Sequence, residues 1–256
     1  MHDLAGLSKL KILDLLTEKL CAQVPKTLTR AMQLFTEQFF SVSAPEELQG
    51  RSQEYLYFTA LSYWQMMQHY DSTKPEVRVF NPDYEQHGWH SNHTVVQIHN
   101  CDMPFLVDSV RMELNRRELA IHGTNNCVLA VERTKTHKLK NLCIAKERSE
   151  SSQIESVVYL EIDRHSNQDT LDELRNNLVQ VLSDVRAVVE DFVPMKQKVL
   201  DLKEELRQRD ANSAEIKEAR KLMDWLLDEH FIFQGYEEIN IKHSKGAFEA
   251  TRVQGS

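Results

Sequence analysis

Residues 94–119 constrain the fold more tightly than any other stretch. Val95, Val96 and Ile98 are β-branched and apolar, which suits a buried strand. Asn100, Cys101 and Asp102 break that pattern. Leu106, Val107, Val110 and Leu114 then recur at helical spacing among Arg111, Glu113, Arg116 and Arg117. The run reads as strand, tight turn, helix. Asp102 is expected as the N-cap, because its carboxylate can accept from the free N–H groups that open a helix. Pro104 is expected in the first turn, where no intrahelical bond is lost. Such a turn is also a place where a small anionic group can meet backbone N–H groups and the positive end of a helix dipole.

Elements of both kinds flank this unit. Residues 7 to 70 read as helices, with one stripe at Leu7, Leu10, Leu13 or Leu15, and Leu20. A second stripe follows Pro25, at Leu28, Met32, Phe35 and Phe39. Ser43-Ala44-Pro45-Glu46 has the spacing of a capping box, expected to open a third helical segment that ends near Tyr70, with Tyr57, Leu61 and Trp64 on its apolar face. Asp71 to Pro75 reads as a linker. Strands are expected at 77–80, across 121–134, at 139–146 and at 157–162, with a polar hairpin turn at 135–138. Leu171, Leu174, Leu178, Val181, Val185, Val188 and Phe192 then sustain a long helix, which Pro194 kinks or restarts, and Val199, Leu202 and Leu206 extend the stripe. Asn212 is expected to cap a further helix through Ile216, Leu222, Met223 and Leu226. Phe231 to Ile241 alternates as a strand, and residues from Lys242 onward read as frayed chain.

This order gives an α+β fold: a ferredoxin-like α/β sandwich with an antiparallel sheet, preceded by a helical segment and followed by long helices. Three segments follow: 1–75 helical, 76–212 the sandwich, and 213–256 a helix and strand that either close the sheet or begin a second module. One strand is surplus, and no closing strand is evident directly after the long helix.

Charge and composition narrow the function. The chain has 256 residues, a net charge of −8 and 41% hydrophobic residues, with a pI near 5.8. That balance argues against nucleic acid, whose phosphates need a basic face. No apolar run approaches the roughly 20 residues that span a bilayer, so no membrane partner is expected. Met1-His2-Asp3-Leu4 lacks the start of a signal peptide, and Cys21, Cys101, Cys127 and Cys143 lack C-x-x-C or zinc spacing, which together point to the cytoplasm and free thiols. Among only seven glycines there is no G-x-G-x-x-G loop.

Candidate chemistry is sparse. His87, His90, His93 and His99 lie near Cys101, but in a loop with no fixed ligand geometry, and read as polar loop residues rather than a metal site. Glu113 and Arg117 are spaced for an i,i+4 ion pair, and Asp108 for solvent. Cys101 reads as a plain buried thiol. No nucleophile–base arrangement stands out, so no catalytic residue is assigned.

Asp102-Met103-Pro104-Phe105-Leu106 resembles the D-x-P-G-x-L turn of ACT domains, which are small-molecule regulatory modules. A longer set of motifs resembles the N-terminal region of the large bacterial NAD-specific glutamate dehydrogenases. It comprises Glu85-Gln86-His87-Gly88-Trp89, Ser91, His93-Thr94-Val95-Val96, Asp102 through Ser109, Ile121-His122, Leu160-Glu161-Ile162-Asp163-Arg164, and His230-Phe231-x-Phe233-x-Gly235-Tyr236. The resemblance implies an ACT-like fold and an amino-acid effector site at Asn100, Cys101, Asp102, Met103, Phe105 and Leu106. The sequence departs from the ACT turn at Phe105, where Gly is usual. Its ring either occupies the ligand space or packs into the core. The resemblance also implies a non-catalytic regulatory and assembly role in a homo-oligomer, with NAD and the catalytic domain elsewhere on the same polypeptide and no cofactor in this chain. A free-standing ACT-type amino-acid sensor and a purely structural oligomerisation module are the alternatives.

Overall fold

The computed structural model describes residues 4–209, 213–244 and 247–253. The chain divides into two compact units, residues 1–183 and 184–256.

The first unit opens with helices α1 (Lys9–Cys21), α2 (Thr29–Phe39), α3 (Pro45–Gln49) and α4 (Gln53–Met67). The expected stripe on α1 is displaced: Ile12, Leu13, Leu16 and Leu20 are buried, while Leu10 is exposed. Nor does the capping box form. Ala44 occupies the N-cap of α3 with Pro45 directly after it, and the Ser43 hydroxyl donates instead to Asn125 Oδ1 at 2.7 Å. A separate helix, α4, starts at Ser52, whose hydroxyl accepts from Tyr55 N.

Strand β1 (Glu76–Phe80), the short helix α5 (Tyr84–His87), β2 (Thr94–Cys101) and α6 (Leu106–Arg116) follow. Then come β3 (Ile121–Arg133), β4 (Leu139–Ile144) and β5 (Gln153–Ile162). Helix α7 (Gln168–Arg209) runs through Pro194 without a break, so the restart is not seen.

All five strands form one antiparallel sheet in the order β1-β2-β5-β3-β4. β2 and β3 flank β5 and are joined through α6, which is the split β-α-β of a ferredoxin-like sandwich. In that sandwich the strand after the second helix lies beside the first strand. Here β1, which precedes β2 in the chain, takes that place, pairing Val77 with Ile98 and Val79 with Val96. This resolves the surplus strand: β1 closes one edge and β4 extends the other.

Alternation along the strands gives the sheet two apolar faces. Val96, Ile98, Val158, Leu160 and Ile162 pack with Val110 and Leu114 of α6 and with Leu171, Leu174 and Leu178 of α7. Val95, Val131, Val157 and Tyr159 pack with Leu16, Phe35, Phe39, Tyr63 and Trp64 of α1, α2 and α4. The first unit is therefore three layers, and its N-terminal helices are one of them.

Two buried ionic networks cross from the helical layer to β5. Glu155 receives both forks of Arg133, at 2.6 and 2.7 Å, and His99 Nε2 lies 2.6 Å from Oε2, the oxygen that also accepts from Arg133 Nη2. Arg133 also donates to the Met67 and His137 carbonyls. Further along β5, Glu161 pairs with Arg51 at 2.7 Å and accepts from the Tyr55 and Tyr159 hydroxyls.

In the second unit lie the C-terminal part of α7, α8 (Ala214–Trp225), a π-helical turn at Leu226–His230, and strands β6 (Ile239–Ser244) and β7 (Ala247–Arg252). Asn212 lies outside the described residues, and the N-cap of α8 is Ser213, which accepts from Ile216 N. Residues 231–238 are not a strand. β6 pairs with β7 in its own two-stranded sheet, so Lys242 to Ser244 and residues 247–252 are paired where frayed chain was expected.

Candidate functional site

The turn between β2 and α6 lies over β3 and β5. Its backbone is held first: Asp102 N donates to Ile154 O at 2.8 Å. Asp102 itself is not the helix cap. Its Oδ1 accepts from the Ser156 hydroxyl at 2.6 Å, and the position preceding α6 is Phe105, with φ 66° and ψ 0° and no side-chain cap. Pro104 therefore sits in the turn and not in the helix. A left-handed residue after Pro is the geometry of a type II turn, which favours Gly because any Cβ is crowded there. Phe105 holds that conformation at a cost in strain, with its side chain about half exposed (47%).

Beside the turn is a cleft of about 190 Å³. Asp102, Met103, Phe105, Leu106, Val107 and Asp108 line it from the turn and α6. Asn126, Cys127 and Val128 line it from β3, and Ser156 to Val158 from β5. Cys127 and Val157 are cross-strand partners, which is why two distant segments meet here. Burial pushes the Cys127 thiol up to about 12, so it is protonated and no nucleophile at neutral pH. The groups present suit holding a ligand: Asp102 and Asp108 carboxylates for a cation, Asn126 for hydrogen bonds, and apolar walls.

Of the six sequence-singled residues, Asp102, Met103, Phe105 and Leu106 line this cleft. Asn100 and Cys101 point to other partners. Asn100 is fully buried, with Oδ1 accepting from the Tyr70 hydroxyl at 3.3 Å. Cys101 N donates to the same hydroxyl, and its thiol lies 3.7 Å from Ser72 O. Asn126, Cys127 and Ser156 were missed, because strand adjacency in a sheet leaves no local signal in sequence.

The histidines disperse. His87 pairs with Asp83 at 3.3 Å and stacks on Phe80, His90 stacks on Tyr84, and His99 serves the Glu155 network. His93 stacks on His122, which pairs with Asp163 at 2.7 Å. That contact and the Ala120 N–H hold the Asp163 carboxyl below its usual value. Among the described residues no group of three or more His, Cys, Asp or Glu is arranged to hold a metal ion. Glu113 and Arg117 pair at 2.8 Å as spaced, and Arg116 joins them. Among the described residues no helix is long and apolar enough to cross a membrane, and the four cysteines are free.

A profile of the glutamate dehydrogenase ACT1 domain matches residues 35–178. The chain belongs to this glutamate dehydrogenase family. The matched span begins within α2 and ends within α7, so it includes part of the helical layer together with the whole sheet. An NAD-specific glutamate dehydrogenase of Halomonas elongata is 38% identical over 252 residues, 97% of this chain and 16% of that protein. Another, of Pseudomonas aeruginosa, is 44% identical over 210 residues, 81% of this chain and 13% of that protein. The chain thus spans about a seventh of the length of these dehydrogenases. In ACT1 terms, the turn at 102–105 is the loop between the sandwich's first strand and first helix.

Proposed function

We propose that this chain is a non-catalytic regulatory and assembly region of a large NAD-specific glutamate dehydrogenase, and that the turn cleft takes a small amino acid as effector. The whole enzyme would convert L-glutamate, NAD and water to 2-oxoglutarate, ammonia and NADH, with NAD held by a catalytic domain elsewhere on the polypeptide. The observation that carries the reading is the cleft itself: an exposed carboxylate, Asp102, fixed by Ser156 at the mouth of a small cavity on an ACT1 sandwich. An amino acid's ammonium would meet Asp102, and its carboxylate the N–H groups opening α6. Homo-oligomer formation and a cytoplasmic location belong to the same reading.

A thermal-shift panel of the twenty amino acids tests it. A ligand that binds only the native state at 100 times its Kd adds about 2.7 kcal/mol. One small amino acid is expected to raise Tm in the parent and not in Asp102→Asn, which keeps the shape and loses the charge. No shift with any amino acid would remove the effector role. NADH formed from glutamate by this chain alone would remove the non-catalytic one.

A further inference from the structure

The last turn of α1 meets the first turn of α4, where Lys19 Nζ donates to Gln53 Oε1 at 3.1 Å. At that meeting is a cavity of about 580 Å³, larger than the turn cleft. Sites for small molecules commonly enclose about 300–1,000 Å³. Lys19 and Ala22 line it from α1, and Gln53, Glu54, Tyr57 and Phe58 from α4. The spacing explains the convergence: Gln53 with Tyr57, and Glu54 with Phe58, are four residues apart on one helix face, and Lys19 and Ala22 are three apart on the other. Ala22 supplies the room, because its methyl group stands where a longer side chain would fill the space.

The lining carries three kinds of group that do not satisfy one another. Lys19 and Glu54 have opposite charges, yet among the described residues neither forms an ion pair, with the other or elsewhere. Gln53, only 5% exposed, holds the Lys19 ammonium in place from below. The Tyr57 and Phe58 rings stand edge to face, with centroids 5.0 Å apart and planes at 79°. That corner lets a third ring lie flat on one and meet the edge of the other, the two arrangements that aromatic rings favour. Phe58 is fixed from behind by Gly88, where a Cβ would come within 2.8 Å of its ring. The aromatic wall is thus set before any ligand arrives.

We infer that this cavity is a second ligand site, separate from the turn cleft, and that it takes an aromatic amino acid. The ligand's carboxylate meets the Lys19 ammonium, its own ammonium meets the Glu54 carboxylate, and its ring packs in the corner of Tyr57 and Phe58. A zwitterion is the ligand that answers both unpaired charges at once, since a simple anion or cation would leave one of them unanswered. The ring accounts for the aromatic wall and for a volume beyond the needs of a small amino acid. This inference goes beyond the effector reading of the turn cleft and does not rest on it.

Calorimetric titration of the 256-residue chain with L-phenylalanine tests it. L-alanine, 3-phenylpropionate and phenethylamine are the companion probes, lacking the ring, the ammonium and the carboxylate in turn. L-phenylalanine is expected to bind saturably with a Kd of about 1 mM or below. Each companion is expected to bind about tenfold more weakly, having lost one charged contact or one buried ring. Lys19→Met and Glu54→Gln each remove a charge from an exposed side chain. Each is expected to weaken L-phenylalanine about tenfold while moving the unliganded Tm by no more than about 1 °C. Ala22→Phe fills the cavity and should abolish binding. No binding of L-phenylalanine at about 10 mM would overturn the inference. So would equal affinity for L-alanine, or full affinity in the two charge variants. Asp102→Asn separates the two sites: it is expected to bind L-phenylalanine like the parent, and loss of binding there would assign the ligand to the turn cleft and overturn this inference. A turn cleft that takes no amino acid would remove the effector reading and leave these expectations unchanged.

Discussion

The left-handed backbone at Phe105 gives an expectation whose sign is unusual. Replacing Phe105 by Ala removes about half of a Phe side chain's burial, since the residue is 47% exposed. Full burial of such a side chain is worth roughly 1.5–3 kcal/mol, so the loss is about 1 kcal/mol. Ala keeps a Cβ and therefore the strain of φ 66°. Gly loses the same burial but relieves about 1–2 kcal/mol of left-handed strain, offset by about 0.5–1 kcal/mol of extra backbone entropy. Phe105→Gly is thus expected to melt above Phe105→Ala by about 0.5–1 kcal/mol, or roughly 1–4 °C for a unit of this size. Within a helix the order reverses, because Gly is about 1 kcal/mol worse than Ala. Met112, exposed on α6, is the internal control: Met112→Gly should melt below Met112→Ala. Differential scanning calorimetry on the four variants reads both orders. If Phe105→Gly melts below Phe105→Ala, residue 105 is not held left-handed, and the account of the turn fails.

Three other expectations concern the helical layer and its charges. Glu155→Gln leaves Arg133 buried against a neutral partner, a change of about 3–5 kcal/mol, so Tm should fall by more than about 6 °C; a smaller fall would show that the network is solvated. Burial pushes the Glu155 carboxyl up, but the hydrogen bonds from Arg133 and His99 outweigh it and hold the group below its ordinary value. Its contribution should therefore be complete above about pH 5 and be lost as pH falls from the ordinary carboxylate value through the lowered folded one; urea titrations from about pH 3 to 7 should show a shallower acid limb in Glu155→Gln, and parallel limbs would refute the linkage. Removing residues 1–75 strips cover from Val95, Val131, Val157 and Tyr159, so the remainder should bind ANS and lose near-UV circular dichroism; a cooperative melt of that remainder would refute the three-layer description.

Much of the first unit could be read from residue periodicity alone. The near-continuous apolar runs at Val95–Ile98 and Val157–Ile162, which mark strands buried on both faces, and the 3.6-residue spacing of Leu106, Val110 and Leu114, which marks a helix with one buried side, are local signals. The pairing of Glu113 with Arg117 was legible for the same reason, since helix geometry alone places residues four apart side by side. The D-x-P turn marked four of the residues that line the cleft.

What tertiary structure decided was adjacency. Nothing local says that β1, earlier in the chain than β2, fills the place of a closing strand, because strand order is set by which edges meet and not by sequence position. Asp102 looked like a cap because it precedes a helix, yet Ser156, 54 residues away, claims its carboxylate. The cap position fell to Phe105, since the turn needs a left-handed residue there whatever its side chain. Ser43 was drawn from its capping box by Asn125, 82 residues distant. Cys127 and Ser156 reached the cleft, and Arg133 reached Glu155, only through the register of β3 on β5, a long-range pairing that no short window of sequence contains.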